Sequence, residues 1–98
     1  MAVHRVEFDW DETKRESNIH KHEIDFRDAV AVFDDAQCIF EDVTRPEYGE
    51  IRNKAIGRLG TRVICVIFTD RGDVRRIISA RRSRRNERDQ YRESAESS

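Results

Sequence analysis

The stretch Val63-Ile64-Cys65-Val66-Ile67-Phe68 decides the fold, because it is an unbroken apolar run in a chain of which 40% is charged. A run of this length is typical of a central strand that is covered on both faces. The turn signal Arg71-Gly72 follows it and leads into a further predicted strand, Val74–Ser79. Two more strands are predicted on the amino-terminal side of the run, at Gln37–Glu41 and Ile51–Gly57.

The composition indicates one small domain. The chain has 98 residues, and Ile, Val, Leu and Phe number 23, which is above the range of disordered chains. No segment approaches the ~20 apolar residues of a membrane span. The two cysteines make no disulfide framework, and no Cys/His cluster has zinc-finger spacing. We therefore expect a cytoplasmic protein with one domain over residues 1–93, a frayed tail over 94–98, and no cofactor.

Two helices are predicted before the main strands. Val3–Phe8 can form a first strand, after which Asp9 or Asp11 can cap a helix that runs to about Lys21. Asp25 can cap a second helix, whose apolar stripe has the spacing i, i+3, i+4 and i+7 at Phe26, Ala29, Val30 and Phe33.

A polar helix is predicted at the end of the chain, from Arg84 to about Glu93, with Ser83 as its cap. The order of elements is then β-α-α-β-β-β-β-α. It predicts an α+β fold in which an antiparallel β-sheet meander is packed by two N-terminal helices, with the polar helix added at the C-terminus.

The charges are unevenly distributed. Residues 1–50 carry a net charge of −8 and residues 51–98 a net charge of +7. This asymmetry indicates either a basic surface for a polyanion or two halves that pair with each other. The stretch from Arg71 to Arg92 contains arginine but no lysine, and arginine makes the bidentate contacts with phosphate that lysine cannot make. We therefore favour phosphate binding, for which Arg76, Arg81 and Arg85 are candidates. The alternative is pairing within the helix, such as Arg85 with Asp89 and Arg84 with Glu87.

The first helix presents a second candidate group. Lys14, Asn18 and Lys21 fall on one helical face, with His22 at its edge. These side chains can contact phosphate, and a histidine can transfer protons near neutral pH. The alternative is a solvated face whose terminal histidine is favoured by the helix dipole.

Two segments together resemble the BrnT family of toxins. They read FDWDxxKxxxNxxKH from Phe8 and RIISARRSRRNERxxY from Arg76, and the resemblance covers roughly residues 6–92. It implies a RelE-like fold and a toxin of a type II toxin–antitoxin module that cleaves RNA and inhibits translation. It also implies neutralisation by BrnA, a ribbon-helix-helix antitoxin, in a heterotetramer of two chains of each kind that reaches operator DNA only through the antitoxin. One position departs from the family, because Glu23 stands where the family usually has glycine, and the end of the first helix is expected to differ.

The site that we predict is a metal-independent ribonuclease centre, because no carboxylate pair with an evident metal role stands out. Arg76 and Arg81 bind the phosphate and its transition state, Arg52 assists, and His22 is the acid or base. RNA-binding roles are assigned to Lys14, Lys21, Arg82, Arg85 and Tyr91. Tyr91 stacks on a base or, alternatively, packs the last helix on the sheet. The rival hypothesis is a basic module that binds nucleic acid or an acidic partner without catalysis.

Overall fold

The architecture is a five-stranded sheet with helices on both faces, and the computed structural model describes residues 6–97. Short 3₁₀ helices occur at Val30–Asp34, directly after α2, and at Pro46–Tyr48. The strands and helices are β1 (Glu7–Asp9), α1 (Glu12–His22), α2 (Phe26–Ala29), β2 (Ile39–Asp42), β3 (Asn53–Leu59), β4 (Arg62–Arg71), β5 (Val74–Arg82) and α3 (Arg85–Glu96).

The sheet is mixed, with the strand order β1-β5-β4-β3-β2. The predicted antiparallel meander is confirmed for β2 to β5, but the prediction is wrong for β1, which runs parallel to β5. The reason is the connection, because α1, α2 and three strands separate β1 from β5, so no hairpin joins them. Of the predicted first strand Val3–Phe8, residues 3–5 lie outside the described part of the chain.

Both faces of β4 are covered, as its apolar run predicts. On one face Ile64, Val66 and Phe68 pack with Phe26 and Val32 of the N-terminal helical segments, and we call this the α1/α2 face. On the other, the α3 face, Cys65 packs with Ile56 and with Tyr91 of α3. The α1/α2 face holds the larger core, so it supplies most of the hydrophobic stabilisation.

A β-bulge interrupts the regular pairing of β4 with β5. Ile67 pairs with Ser79 but Phe68 pairs with Ile77, so Ile78 is an extra residue in β5. In a regular strand Arg76 and Arg81 point to opposite faces, because they are five positions apart and successive side chains alternate between the faces. The bulge brings both to the α3 face, and the sequence pattern gave no indication of it.

The helix ends differ in part from the predictions. Asp11 caps α1 as expected, since its side chain accepts a hydrogen bond from the Lys14 N–H at 3.0 Å. The expectation of an altered helix end at Glu23 is wrong, because Glu23 adopts the left-handed conformation with φ of 59°. The predicted second helix exists, but it is α-helical only over Phe26–Ala29 and tightens into the 3₁₀ segment beyond.

The last helix begins one residue later than predicted and runs further. Its cap residue is Arg84 rather than Ser83, because the Ser83 hydroxyl donates instead to the Val63 carbonyl oxygen at 2.7 Å. The helix continues to Glu96. Among the helices of residues 6–97, none combines the length and the apolar character needed to cross a membrane.

Candidate active site

The α3 face carries a group of cationic side chains beside the start of α3. Alternate residues of β4 lie on this face, and the register sets a cation of a neighbouring strand opposite each of them. Arg81 lies opposite Cys65, Lys54 opposite Ile67, and Arg76 opposite Thr69. The two strands that flank β4, which are β3 and β5, thus deliver cations to one surface.

Arg81 is held by a buried carboxylate. Its Nη1 and Nη2 atoms donate to the two carboxylate oxygens of Glu87 at 2.8 and 2.9 Å, which is a bidentate pair. Lys54 Nζ donates to the same carboxylate at 3.1 Å and contacts Glu41 at 3.0 Å. The Glu87 side chain is 1% exposed, whereas those of Arg81 and Lys54 are 21% and 14% exposed. The anion therefore lies beneath two partly exposed cations.

The carboxylate of Glu87 also fixes the start of α3. It accepts the Arg84 backbone N–H at 2.7 Å, one of the unpaired donors at a helix N-terminus. Burial alone would raise the pKa of Glu87, but the hydrogen bonds from Arg81, Arg84 and Lys54 hold it well below its usual range. Glu87 is therefore ionised at neutral pH.

The end of α1 is attached to β5 by Asn18, which is buried. Its amide nitrogen donates to the Ala80 carbonyl oxygen at 2.8 Å and to the Ile24 carbonyl oxygen at 2.9 Å, and its amide oxygen accepts the Ala80 N–H at 3.1 Å. This amide replaces a neighbouring strand where β1 no longer covers β5. Asn18 is thus a structural clamp, and its side chain is not part of the exposed cationic face on which sequence spacing placed it.

This clamp brings the end of α1 next to Arg81. His22 lies one helical turn after Asn18 and lines a cleft of about 470 Å³. The rest of the lining consists of His20, Lys21 and Glu23 at the end of α1 and of Arg81 and Arg82 at the end of β5. A smaller adjoining pocket of about 190 Å³ is lined by Lys14, Lys21, His22 and Ser79, among others. The structure therefore brings His22, Lys14, Lys21, Arg81 and Arg82 of the predicted site together.

Arg52 and Arg76 lie elsewhere on the sheet. Arg76 pairs with Asp9 of β1 at 3.1 Å, about 15 Å along β5 from Arg81 at the usual rise per residue. Arg52 immediately precedes β3, where it contacts Glu50 at 3.2 Å and lies over the Tyr48 ring at 4.0 Å. Both arginines therefore lie outside the lining of the cleft.

Of the two roles predicted for Tyr91, the structure shows packing of the last helix on the sheet. Its side chain is buried, with the residue 6% exposed, and its hydroxyl donates to Asp35 at 2.6 Å. The side chain of Arg85 is exposed at the start of α3 and makes no hydrogen bond or ion pair with residues 6–97. The ring of Tyr91 therefore holds α3 on the sheet, and the surface beside it is cationic.

Lys54 and Glu87 were missed by reasoning from the sequence. Lys54 lies in a short strand among residues of mixed character, and Glu87 reads as a partner of Arg84 within the helix. Their contacts join residues 33 positions apart, and no local spacing reports such a pair. The sequence did contain one signal for Lys54, which is its position within the predicted strand Ile51–Gly57, next to the apolar run.

The two cysteines are unsuited to act as nucleophiles at neutral pH. Burial raises the pKa of the Cys65 thiol to about 11, so it is protonated at neutral pH. Burial likewise raises the pKa of Cys38 to about 11. Within the described residues 6–97, no group of three or more His, Cys, Asp or Glu side chains is arranged to hold a metal ion.

The fold and site define a small α+β protein with a cationic surface suited to a phosphodiester. The sequence profile of the ribonuclease toxin BrnT of type II toxin–antitoxin systems matches residues 10–87. The chain therefore belongs to the BrnT family, which assigns it to the ribonuclease toxins and implies an antitoxin partner. No curated protein sequence matches the chain.

Proposed function

We propose that this protein is a metal-independent, RelE-like endoribonuclease that inhibits translation by cleaving RNA in the cytoplasm. Its unit is the single domain of residues 1–93. The observation that carries the proposal is the cleft in which His22 from α1 meets Arg81 from β5. A titratable imidazole beside a fixed guanidinium supplies the two functions that RNA cleavage by its own 2′-hydroxyl requires, which are proton transfer and charge stabilisation.

In the proposed reaction the 2′-oxygen attacks the phosphorus atom while the bond from phosphorus to the 5′-oxygen breaks. The 2′-hydroxyl gives its proton to a base, and the departing 5′-oxygen receives a proton. His22 carries out one of these two transfers. Arg81 stabilises the charge that develops on the phosphate oxygens, and no water or metal ion enters this step.

The other predicted residues bind RNA on either side of the cleft. Lys14, Lys21 and Arg82 line the cleft and its adjoining pocket, so they are placed to contact neighbouring phosphates. Arg85 extends this cationic surface onto α3. Arg52 and Arg76 contact the backbone further along the sheet, in a supporting role that is weaker than the catalytic role predicted from the sequence.

The antitoxin of this module is, in this proposal, a BrnA-like ribbon-helix-helix protein. It binds the toxin in a heterotetramer of two chains of each kind and contacts operator DNA itself, so that the toxin reaches DNA only through it. Family membership supports an antitoxin partner. Its class and the stoichiometry are tested by copurification with a ribbon-helix-helix chain and by the mass of the complex in solution.

The decisive experiment incubates the purified chain with RNA in excess EDTA and maps the ends of the fragments. We expect fragments with a 5′-hydroxyl, which a polynucleotide kinase labels without prior phosphatase treatment. A parallel reaction with translating ribosomes shows whether cleavage requires them. Cleavage that EDTA abolishes would contradict metal independence.

The matched variants are His22→Ala and His20→Ala, which remove an imidazole from the same turn of α1. Both imidazoles line the cleft, but only that of His22 also lines the adjoining pocket. His22→Ala is expected to slow cleavage by about 100-fold, the usual range for a lost general acid or base. His20→Ala is expected to change it by less than about threefold. Equal effects of the two would remove His22 from the mechanism. A salt-sensitive complex with intact RNA, on and off the ribosome, would favour the rival hypothesis of a binding module.

A further inference from the structure

The most unusual group in the molecule is the carboxylate of Glu87, which is buried yet charged. It draws together three elements that are distant in the sequence, because it accepts from Lys54 of β3, from Arg81 of β5 and from the backbone at the start of α3. A buried ion pair is expensive, and apolar side chains of similar volume often serve stability as well. The arrangement therefore calls for a role beyond packing.

Arg81 and Lys54 each keep hydrogen-bond donors that Glu87 does not use. Arg81 uses Nη1 and Nη2 for Glu87, and Nη1 also donates to the Arg82 carbonyl oxygen at 3.2 Å, which leaves its Nε–H available. The ammonium of Lys54 has three donors and contacts two carboxylates. Because both cations contact the same oxygen of Glu87, their nitrogens lie no more than about 6 Å apart. Such a pair can contact one phosphate group.

We propose that Glu87 is a positioning residue that holds Lys54 and Arg81 as a two-cation site for the scissile phosphate, and that Lys54 is a further residue in contact with that phosphate. The proposal rests on the proposed function and deepens it. The anion of Glu87 lies below the surface and the cations above it, which relieves like-charge repulsion from beneath. A phosphate contacts Lys54 in competition with the exposed carboxylate of Glu41, which lies 3.0 Å from its Nζ. The low pKa of Glu87 keeps this arrangement intact across the neutral range.

The first test is Glu87→Gln, which keeps the shape of the side chain and removes its charge. The variant gains a positive charge overall, so electrostatics alone would tighten RNA binding. Positioning instead predicts a fall in kcat of about 10-fold with KM changed by less than about twofold, because the guanidinium loses its fixed orientation. The matched control Asp89→Asn removes an exposed carboxylate from the same helix and is expected to leave kcat unchanged.

A double-mutant cycle separates positioning from a general loss of structure. If Glu87 acts through Arg81 and Lys54, Glu87→Gln lowers kcat by a smaller factor in an Arg81→Gln background than in the parental chain, because only Lys54 is left to position. Multiplying losses, or a Glu87→Gln enzyme with the parental kcat, would overturn the proposal. Circular dichroism of each variant establishes that the fold is retained.

Lys54→Gln tests the second half and keeps both partners of the hydrogen bond between Glu87 and the Arg84 N–H that fixes the start of α3. We expect a fall in kcat of about 100-fold, as for loss of a donor to a developing oxyanion. We also expect several-fold weaker binding of an oligonucleotide whose 2′-deoxy sugars prevent cleavage, with a shallower dependence on salt. Unchanged binding and cleavage would refute the site. Intact RNA with the parental chain, together with weaker binding by Lys54→Gln, would instead refute the ribonuclease function and keep the phosphate site.

Discussion

Two buried polar side chains attach helices to consecutive residues of β5, and they do so by different means. Asn18 of α1 binds the main chain of Ala80 through a neutral amide that both donates and accepts. Glu87 of α3 binds the side chain of Arg81 through a charged carboxylate. The first contact fixes where the strand lies, and the second fixes how its guanidinium points.

The Asn18 contact serves stability, whereas the Glu87 contact serves the proposed chemistry. A neutral amide pairs with the backbone at any pH, so the position of the strand edge does not depend on ionisation. A carboxylate holds a cation only while it is ionised, and it directs that cation toward the surface. The α1 contact is therefore a structural device, and the α3 contact belongs to the proposed site.

The largest expected effect comes from breaking the neutral contact. Asn18→Leu leaves the N–H and the carbonyl oxygen of Ala80 buried without their partner, at a cost of about 1–3 kcal/mol for each group. We expect a loss of about 4 kcal/mol in the free energy of unfolding, measured by urea denaturation. Ser17→Ala, an exposed neighbour, is the control and should stay within about 0.5 kcal/mol. A loss below 1 kcal/mol for Asn18→Leu would show that the clamp is dispensable.

Breaking the charged contact should have a smaller effect that depends on pH. At pH 7 Glu87→Gln is expected to lose about 3 kcal/mol, because one partner of a buried pair is gone. The folded-state pKa of Glu87 is lowered, so its contribution is complete above the unfolded pKa of about 4.3 and is lost as the pH falls through the folded value. The difference in the free energy of unfolding between the parental chain and the variant should therefore begin to narrow below about pH 4 and shrink further as the pH falls toward the folded-state pKa. A constant difference between them would contradict this assignment.

Tyr91 shows whether α3 has a second anchor that is independent of the site. Tyr91→Phe keeps the ring and removes the hydrogen bond to Asp35, and such bonds to charged groups contribute about 1.5 kcal/mol or more. We expect a loss near 1.5 kcal/mol by urea denaturation with kcat unchanged. Tyr48→Phe removes a hydroxyl that makes no hydrogen bond with residues 6–97, so it should be neutral. A large fall in kcat for Tyr91→Phe would tie the ring to catalysis after all.

The smallest effect is expected at the end of α1, next to the neutral clamp. Glu23 is held at φ of 59°, which costs a residue with a side chain roughly 1–2 kcal/mol relative to glycine. Glu23→Gly should therefore raise the free energy of unfolding by about 0.5–1 kcal/mol after its greater loss of chain entropy. Glu23→Ala keeps the same conformational cost and should bring no such gain. Thermal denaturation of the three chains measures the difference.

The sequence predicts the elements of this fold better than the way in which they meet. The apolar run of β4, the helical stripe from Phe26 and the cap at Asp11 are local patterns, and each is confirmed. The parallel pairing of β1 and the bulge at Ile78 depend on contacts between distant segments, and no periodicity encodes them.

The candidate site likewise contains residues that the sequence predicts and residues that it does not. Residue chemistry indicates His22 and Arg81, and the structure sets them in one cleft. Glu87 could not be found from the sequence, because an acidic residue in a charged helix normally faces solvent. Its helical spacing groups Asn18 with Lys14 and Lys21 on one face of α1. Spacing does not tell which part of a helix is covered, and in the structure Asn18 is buried against Ala80.

Because β3 and α3 are far apart in the sequence, the parts of the proposed site are synthesised at different times. Lys54 and Arg81 have both been translated before the ribosome reaches Glu87, and the carboxylate that organises them belongs to the element made after all five strands. The amino-terminal strand likewise has no partner until Val74–Arg76 emerges. A nascent chain thus carries these cations unassembled until Glu87 has left the ribosome, and the proposed site is completed only after α3 has emerged.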